Sequence, residues 1–479
     1  MRFVIENFGP IKKADIEIKD LNVFIGKNSA GKSYLAYLLW ALLSVEPNWE
    51  KIRALFAEFI PNELIREAIE KDKELREELE RENFEFKKQA EELGKLNLEL
   101  TERFKNLIIE SFKRFDEIWG RNLEDLIKDV FLVDSLRELV RMGYEKARIF
   151  VSNDKGDKKL NIEISDSLKA WIDDEVIKTL EDNLFVTVEN GEPMLLTLYY
   201  QEELIAQEFF TENIQTIGII PTIFVLLFDD YCPYSSTFIA PDGRTGLIRS
   251  MEALNYALIG GKITINGVDR IFMRDFISFS PKVKNEEISK IADFIEEKMG
   301  IRYVLRREQP RYVVQVGETE MPVQRTPSGY RELAPIIYAL RHKLDKQHVI
   351  FVEEPEAHLH PDAQVIITRA LAELSKKDCY VVLTTHSPIL LDEISTLLRL
   401  RNLSSENKKR VGYEEWEGLN PEKVGIFLVK DGKVEELEIY EDGIEESDLD
   451  RVIIEIANLH VEVEEEYGHT RKLQAQREL

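Results

Sequence analysis

The sequence predicts an α/β fold with a mixed β-sheet, an all-helical insertion and further β-rich segments. Apolar residues at strand spacing occupy 2–5, 14–18 and 21–25, and an apolar helix follows directly at 34–43. From Gly329 onward, helices alternate with apolar strands, which indicates parallel strands joined by crossover helices. The chain has 479 residues, enough for two or three compact units.

The middle of the chain separates an N-terminal from a C-terminal part of the predicted core. Residues 48–146 carry apolar residues at helical spacing among many Glu, Lys and Arg, and we expect antiparallel helices here that turn near Gly94 and Gly120. Residues 147–212 alternate apolar and polar residues between turn signals, which predicts hairpins of the core or of the insertion. The expected units are a core of 1–47 and 213–460, a helical insertion at 48–146, a β-rich segment at 147–212 and a charged tail at 461–479.

The net charge of −26 restricts the partners that this chain can bind. A chain this acidic repels nucleic acid on average, so DNA binding would require a local basic patch. One basic segment qualifies, although a mixed-charge surface beside a phosphate site explains it equally well. Its basic residues are Arg302, Arg306, Arg307, Arg311, Arg325, Arg331, Arg341, Lys343 and Lys346. Charged residues reach 32% of the chain, with abundant Lys and Glu, a bias typical of proteins from thermophiles.

Cysteine content and hydropathy predict a cytoplasmic protein. The two cysteines, Cys232 and Cys379, allow neither a zinc spacing nor a disulfide framework, which favours a reducing compartment. The N-terminus lacks the order of a signal peptide. The most apolar run, 214–228, contains Gly218 and Pro221 and is shorter than a membrane span, so we interpret it as a core segment. No membrane partner is expected.

A glycine-rich stretch after the third predicted strand carries the clearest chemical signal. It matches the P-loop pattern GxxxxGK[ST] completely. Glycines let backbone N–H groups surround phosphate oxygens, and the following helix points its positive end at them. We expect Lys32 to neutralise the β- and γ-phosphates of ATP and the Ser33 hydroxyl to bind Mg²⁺. The predicted nucleotide-binding residues are Gly26, Lys27, Asn28, Ser29, Ala30, Gly31, Lys32 and Ser33.

Two later apolar strands end in residues that suit phosphoryl transfer. Glu353 and Glu354 follow the strand at 348–352, at the edge where open α/β sheets place ligands. One carboxylate would hold Mg²⁺ and the next would orient and deprotonate the attacking water. The alternative, an acidic helix cap before Pro355, is disfavoured by the presence of the P-loop. His386 closes the strand at 380–384, and an adjacent strand end would bring it near the γ-phosphate.

Three segments together resemble the ABC-type ATPases, and more closely the RecF, SMC and OLD (overcoming-lysogenization-defect) group. They are "IENFGPIKKADIEIKDLNVFIGKNSAGKS" at the start, "VEEPEAHLHP" and "TTHSP". The resemblance implies a P-loop NTPase fold of the ABC-ATPase type. By the same resemblance, Glu353 takes the Mg²⁺-binding Walker B position, where relatives usually carry Asp. Glu354 takes the position of the catalytic base, and His386 that of the switch histidine.

The resemblance also implies a second half-site. The segment 326–330 is similar to the signature loop, with Ser328 and Gly329 as its core, although the longer LSGGQ form is absent. In this superfamily the loop contacts a nucleotide held by the other subunit, which implies an ATP-sandwiched homodimer or higher homo-oligomer. The segment "FIAPDGRTG" is expected in the place of the Q-loop, with Asp242 or Arg244 in the role of its glutamine.

Several functions fit these residues. We expect a Mg²⁺-dependent ATPase that acts as an ATP-driven scaffold or sensor for a separate effector such as a nuclease, in antiviral defence against phage. A DNA-binding clamp in repair or chromosome maintenance is the alternative, and a transporter subunit a weaker one. OLD nucleases carry a C-terminal Toprim domain, whereas here about ninety residues follow His386. Asp448 and Asp450 are more consistent with a helix start, so no nuclease activity of its own is expected.

Overall fold

The computed structural model describes residues 1–45, 48–60, 62–80, 86–152, 159–189, 194–200, 203–210, 237–259, 267–308, 311–440, 443–444, 458–464 and 466–467. The apolar run at 214–228, Asp448 and Asp450 lie outside these ranges. The strands are β1 (Arg2–Phe8), β2 (Ile11–Glu17), β3 (Leu21–Ile25), β4 (Ala147–Ser152), β5 (Lys159–Ile164), β6 (Leu168–Ile172), β7 (Leu184–Glu189), β8 (Met194–Tyr200), β9 (Glu203–Phe210), β10 (Thr237–Ala240), β11 (Arg302–Leu305), β12 (Tyr312–Val316), β13 (Thr319–Pro322), β14 (Val349–Glu353), β15 (Tyr380–Thr385), β16 (Val424–Lys430), β17 (Lys433–Glu436), β18 (Ile439–Tyr440) and β19 (Gly443–Ile444).

The helices of the described residues lie mainly between these strands. They are α1 (Lys32–Ser44), α2 (Trp49–Phe59), α3 (Asn62–Glu80), α4 (Phe86–Lys113), α5 (Arg121–Phe131), α6 (Asp174–Asn183), α7 (Arg244–Ile259), α8 (Gly267–Ser278), α9 (Glu286–Met299), α10 (Ser328–His342), α11 (Pro361–Ser375), α12 (Pro388–Leu400) and α13 (Ser405–Arg410). A π-helical turn occupies Asp116–Gly120, and short 3₁₀ turns occupy Leu136–Leu139, Val323–Arg325 and Pro421–Lys423. Within the described ranges, none of the helices is long and apolar enough to cross a bilayer.

One mixed sheet of eleven strands organises the molecule, in the order β10-β14-β15-β3-β16-β17-β2-β1-β4-β5-β6. Five neighbouring strands of this sheet are parallel, namely β10, β14, β15, β3 and β16. In their register, Glu353 lies opposite Thr384, and Thr385 lies opposite Ile25. Their carboxyl ends therefore meet at one edge, which is where α/β sheets bind ligands. This confirms the predicted α/β class and the predicted parallel strands joined by crossovers.

The other half of the sheet is largely antiparallel. Each strand in the row β2-β1-β4-β5-β6 pairs antiparallel with the next. Strand β17 lies beside β2 and joins this row to the parallel half. Strands β4, β5 and β6 thus extend the same sheet that carries the P-loop, whereas β7, β8 and β9 form a separate antiparallel sheet. The division of the chain into core, insertion and tail stays a prediction.

The parallel strands are buried on both faces, and their alternating side chains enter two different cores. Phe24 of β3 and Phe351 of β14 pack on the side of α1, whereas Val23 and Val352 pack on the side of α10, α11 and α12. Each large side chain buried in this way stabilises the fold by roughly 1.5–3 kcal/mol. The strand ends are therefore held rigidly between two helical layers.

The predicted turns near Gly94 and Gly120 are wrong. Gly94 lies inside α4, and Gly120 has helical dihedral angles between the π-helical turn and α5. A single glycine costs a helix only about 1 kcal/mol, which the packing of an amphipathic face outweighs. Position 120 requires glycine, because a Cβ there would lie 2.4 Å from Oδ1 of Asp116. That carboxylate accepts a hydrogen bond from the Ala170 N–H at 2.7 Å.

Candidate active site

The P-loop leaves β3 through backbone that only glycine can adopt. Gly26 has a φ of 143°, and a Cβ at this position would lie 2.3 Å from the carbonyl oxygen of Val429 on β16. Gly31 has a φ of 110° and closes the loop immediately before α1. No side chain caps the start of α1, so its first backbone N–H groups remain for a phosphate.

Lys32 is the most enclosed polar residue of the loop, with 6% of its surface exposed. Its Nζ donates to the carbonyl oxygens of Gly26 at 3.1 Å and Lys27 at 3.3 Å. It also lies 2.7 Å from Nε2 of His386. Burial lowers the pKa of the ammonium, and the nearby carboxylate of Glu354 opposes this shift.

Glu353 ends β14 and is buried, with 3% of its surface exposed. Its carboxylate accepts hydrogen bonds from the Tyr37 hydroxyl and from the N–H of Asp242 at 3.4 Å, and the Ser33 hydroxyl also lies near it. Burial raises the pKa of Glu353, while these donors act in the opposite direction. The carboxylate and the Ser33 hydroxyl thus meet at the end of the P-loop.

Glu354 turns the chain away from the sheet through a left-handed conformation, with a φ of 42°. Its N–H donates to the carbonyl oxygen of Thr384 at 2.9 Å, and its Oε1 lies 3.5 Å from Nε2 of His386. Burial raises the pKa of this carboxyl, and the carboxylates of Glu356 and Asp242 raise it further. A partly enclosed carboxylate of raised pKa suits a general base.

Glu356 holds the backbone of His386, and Ser387 caps the helix that follows it. The Glu356 carboxylate accepts from the N–H of His386 at 2.9 Å and from the Thr385 hydroxyl at 2.6 Å. Ser387 caps α12 through a hydrogen bond from the Leu390 N–H at 3.3 Å. Burial, with the charge of Lys32 as a second cause, lowers the pKa of His386. The imidazole is therefore neutral at neutral pH.

The predicted signature residues lie apart from this group. Ser328 begins α10, and Gly329 packs so closely on the segment after Glu354 that a Cβ would lie 3.3 Å from the carbonyl oxygen of His358. The Tyr303 hydroxyl fastens the same turn by donating to the carbonyl oxygen of Tyr330 at 2.6 Å. Neither Ser328 nor Gly329 is among the described residues that line the P-loop cleft.

That cleft has a volume of about 950 Å³ and brings together predicted and unpredicted residues. The predicted site residues that line the cleft are Asn28, Ser29, Gly31, Lys32, Ser33, Glu354 and His386. The other lining residues are Gly9, Pro10, Tyr34, Arg137, Glu138, Val140, Arg141, Met142, Gly143, Tyr144 and Asp242. The segment 137–144 was not predicted, because it lies more than 100 positions from the P-loop and carries no motif. Backbone hydrogen bonds bring it there, from the Gly9 N–H to Leu139 at 2.7 Å and from the Arg141 N–H to Asn7 at 2.8 Å.

The donor set at the loop end fits a magnesium ion. Mg²⁺ usually binds one or two protein oxygens, completing its shell with phosphate and water. Ser33 and Glu353 supply one hydroxyl and one carboxylate, and the hydroxyl lies close enough to lower the pKa of the Glu353 carboxyl.

Four of the nine Lys and Arg residues of the basic segment 302–346 form ion pairs with carboxylates. These pairs are Arg306–Glu320, Arg341–Glu296, Arg341–Asp293 and Lys343–Asp275, each at 2.7 Å, and Lys346–Asp378 at 3.0 Å. These pairs reduce the positive charge available to a nucleic acid.

Residues 1–218 and 260–391 match the AAA ATPase domain family. The chain belongs to this family. The match contains the P-loop, Glu353, Glu354 and His386. A curated relative, the OLD nuclease of Thermus scotoductus (strain ATCC 700910 / SA-01), is 38% identical over 77 residues, which make up 16% of this chain and 14% of the nuclease. The match thus spans far less than two thirds of that relative.

Solved structures similar to this AAA ATPase include two SMC heads and RecF. The SMC head bound to the C-winged helix domain of ScpA is 11% identical, with a TM-score of 0.37 and coverage of 92% of this chain and 98% of that chain. The SMC head domain from Thermotoga maritima is 9% identical, with a TM-score of 0.34 and the same coverage. The recombination mediator protein RecF is 12% identical, with a TM-score of 0.30 and coverage of 91% and 97%.

The family match and the OLD relative confirm the resemblance predicted from the motifs. The protein contains an AAA ATPase domain, and membership of an ATPase family implies that ATP binds to it.

Proposed function

We propose that this AAA ATPase hydrolyses ATP to ADP and phosphate in the P-loop cleft, with Glu354 as the general base. One observation carries the proposal: Lys32, Glu354 and His386 come from the ends of three neighbouring parallel strands and meet at one point. His386 Nε2 lies 2.7 Å from Lys32 Nζ and 3.5 Å from Glu354 Oε1. A phosphate bound to Lys32 would therefore be within reach of the base.

The roles of the individual groups follow from their surroundings. Phosphoryl transfer requires positioning and charge stabilisation more than covalent chemistry. Lys32 and the first N–H groups of α1 bind the phosphates, Glu354 accepts the proton of the attacking water, and neutral His386 senses the γ-phosphate. Ser33 and Glu353 would hold a Mg²⁺ ion bound with ATP, and this ion would neutralise charge on the phosphates.

We further propose that the ATPase works as an ATP-sandwiched homodimer or higher homo-oligomer. Ser328 and Gly329 are absent from the described lining of their own chain's cleft, as expected of residues that contact the nucleotide of another subunit. Their place at the N-terminus of α10, a helix of 15 residues, suits an anion.

For the biological role, we propose an ATP-driven scaffold or sensor that holds and releases a separate protein effector, such as a nuclease, in antiviral defence. The net charge of −26 and the ion pairs of the basic segment favour a protein partner over DNA. The effector would distinguish the ATP-bound from the ATP-free conformation.

A DNA clamp in repair or chromosome maintenance is the second candidate. It is supported by the match to a protein named as a nuclease, which acts on nucleic acid. If this candidate is right, exposed cations must provide the contact, such as Arg302, Arg307 and Arg325.

ATP turnover measured with and without duplex DNA at low salt tests both candidates. The Glu354→Gln variant should lose at least about a hundredfold in kcat while keeping its affinity for ATP. The exposed Asp362→Asn substitution is the control and should leave turnover unchanged. Wild-type turnover in Glu354→Gln would contradict the base assignment. If DNA stimulates ATP turnover in the wild type but not in Glu354→Gln, the result would favour the clamp. If the turnover rate is the same with and without DNA, the result would favour a protein effector.

A further inference from the structure

Arg244 is a fully buried cation that connects two parts of the candidate active site. It is the first residue of α7, and none of its surface is exposed. Its guanidinium donates to the carbonyl oxygens of Glu353 at 2.6 Å, Glu354 at 3.1 Å and Pro241 at 2.8 Å. The side chain therefore holds the backbone at the point where β14 ends and the chain turns.

The same guanidinium also binds the helix that carries the signature residues. It forms an ion pair with the carboxylate of Glu332, and its Nε donates to the Glu332 carbonyl oxygen at 3.4 Å. Glu332 is also fully buried, and its second carboxylate oxygen accepts from the Thr245 hydroxyl. Glu332 lies one helical turn after Ser328 in α10, so Arg244 joins the signature turn to the acidic strand end.

Fold stability does not by itself account for this ion pair. Removing two charges from water costs several kcal/mol each, and apolar residues of similar volume are often equally stable in such places. A planar guanidinium instead offers five donors in a fixed arrangement, which holds several acceptors in one geometry. The acceptors here belong to the end of β14 and to α10, which carry the proposed base and the signature residues.

We propose that Arg244 is a positioning residue, which holds Glu354 in its left-handed backbone conformation and couples it to the signature turn of α10. A movement of Ser328 and Gly329 is then transmitted through Glu332 and Arg244 to the base of the same chain. The inference rests on the proposed role of Glu354 in ATP hydrolysis.

The test replaces both buried charges together, so that neither is left without a partner. In the Arg244→Met/Glu332→Leu variant we expect an unchanged KM for ATP and a kcat at least about tenfold lower, since misplacement by about 1 Å can cost a hundredfold. Hydrogen exchange should accelerate at least about tenfold in the amides of Glu354 and of 356–359, since Pro355 has no N–H, and it should remain unchanged in the P-loop. The matched control is Lys343→Met/Asp275→Leu, which removes the ion pair beyond the other end of α10 and should change neither kcat nor this exchange.

Each outcome decides the proposal. A folded double variant with kcat within about twofold of wild type would overturn it, as would a lower kcat without faster exchange at 354–359. If the double variant does not fold, Arg244→Lys keeps the charge beside Glu332 but loses the planar fork, and the same two measurements apply to it. Turnover by Glu354→Gln at the wild-type rate would refute the base role separately, and the exchange at 354–359 would still decide whether Arg244 positions this segment.

Discussion

The side-chain nitrogen of Lys32 donates to Nε2 of His386 across 2.7 Å, although 354 positions separate the two residues in sequence. The contact exists because β15 lies beside β3, with Thr385 opposite Ile25. An ammonium group only donates, so Nε2 is the acceptor and the neutral ring carries its proton on Nδ1. We expect a phosphate that binds Lys32 to share this ammonium with His386, so that the histidine would respond to the nucleotide.

Replacing Lys32 by methionine should abolish most nucleotide binding. The substitution keeps the side-chain length but removes the enclosed charge, and a hydrogen bond to a charged group contributes about 1.5–3 kcal/mol. We expect the Kd for ATP to rise at least about tenfold, measured by titration calorimetry. The control is Lys51→Met in α2, whose side chain is exposed and outside the P-loop cleft, and which should change the Kd less than about twofold. Equal losses in the two variants would contradict a specific role for Lys32.

Adding a single methyl group at Gly26 should disrupt the P-loop. At a φ of 143°, alanine is strained, and its Cβ would lie 2.3 Å from the Val429 carbonyl oxygen. We expect Gly26→Ala to lose at least about 2 kcal/mol of unfolding free energy and to bind no ATP at millimolar concentration.

The matched substitution for this prediction is Gly246→Ala inside α7, where a Cβ meets nothing within 4 Å. It should leave ATP binding intact and raise the unfolding free energy by about 0.5–1 kcal/mol, because alanine restricts the unfolded chain. Urea denaturation and ATP titration of both variants provide the comparison. A Gly26→Ala protein that binds ATP normally would show that the loop adapts.

The Tyr37 hydroxyl should stabilise the fold through Glu353. Burial and the Glu353 carboxylate raise the pKa of Tyr37, so the hydroxyl remains a donor at any physiological pH. Tyr37→Phe leaves a buried carboxylate without one of its donors, and we expect a loss of roughly 2 kcal/mol in urea unfolding. Tyr34→Phe on the same helix is the control, because its side chain is 37% exposed, and it should cost under about 0.5 kcal/mol. Similar costs for the two would mean that the Glu353 bond contributes nothing.

His348 should make stability fall in mild acid. Burial lowers its pKa to about 4, partly offset by Asp345. The folded chain therefore keeps the ring neutral, whereas the unfolded chain binds a proton below about pH 6.5. Stability is fully present above pH 6.5 and is lost as pH falls towards 4. We expect this residue to account for a loss of roughly 2 kcal/mol between pH 7 and pH 4.5.

The variant His348→Asn isolates this contribution from other titrating groups. Asparagine can accept the Asp345 N–H in place of Nδ1, a bond of 3.0 Å in the wild type, and it has no charge to gain. Urea unfolding at several pH values should show a smaller decline for the variant than for the wild type. Parallel curves for the two proteins would show that His348 titrates normally in the folded chain.

The sequence predicted the residues that carry the chemistry of the site better than the residues that surround and position them. Glycine, lysine and serine at fixed spacing, and carboxylates after an apolar strand, are requirements of phosphate and metal binding that can be read locally. Tyr37, the segment 137–144 and the ion pair of Arg244 with Glu332 carry no such local pattern. The resemblance suggests Asp242 or Arg244 for the role of the Q-loop glutamine, but no local pattern predicts the burial of Arg244 or its ion pair with Glu332 of α10.

The turns expected near Gly94 and Gly120 show a second limit of local patterns. A glycine in a helix is read as a break, yet at Gly120 it makes room for the Asp116 carboxylate that binds the Ala170 N–H. Tertiary contacts of this kind outweigh a propensity difference of about 1 kcal/mol.

The sequence by itself determined the α/β class, the P-loop and the identity of the acidic strand end, because side-chain periodicity and backbone requirements act within a few residues. Only the tertiary structure decided which strand ends are neighbours. The sheet order places β15 between β14 and β3, so that His386 reaches both Lys32 and Glu354. Strand order depends on how two helical layers bury both faces of one sheet, a property of the whole chain.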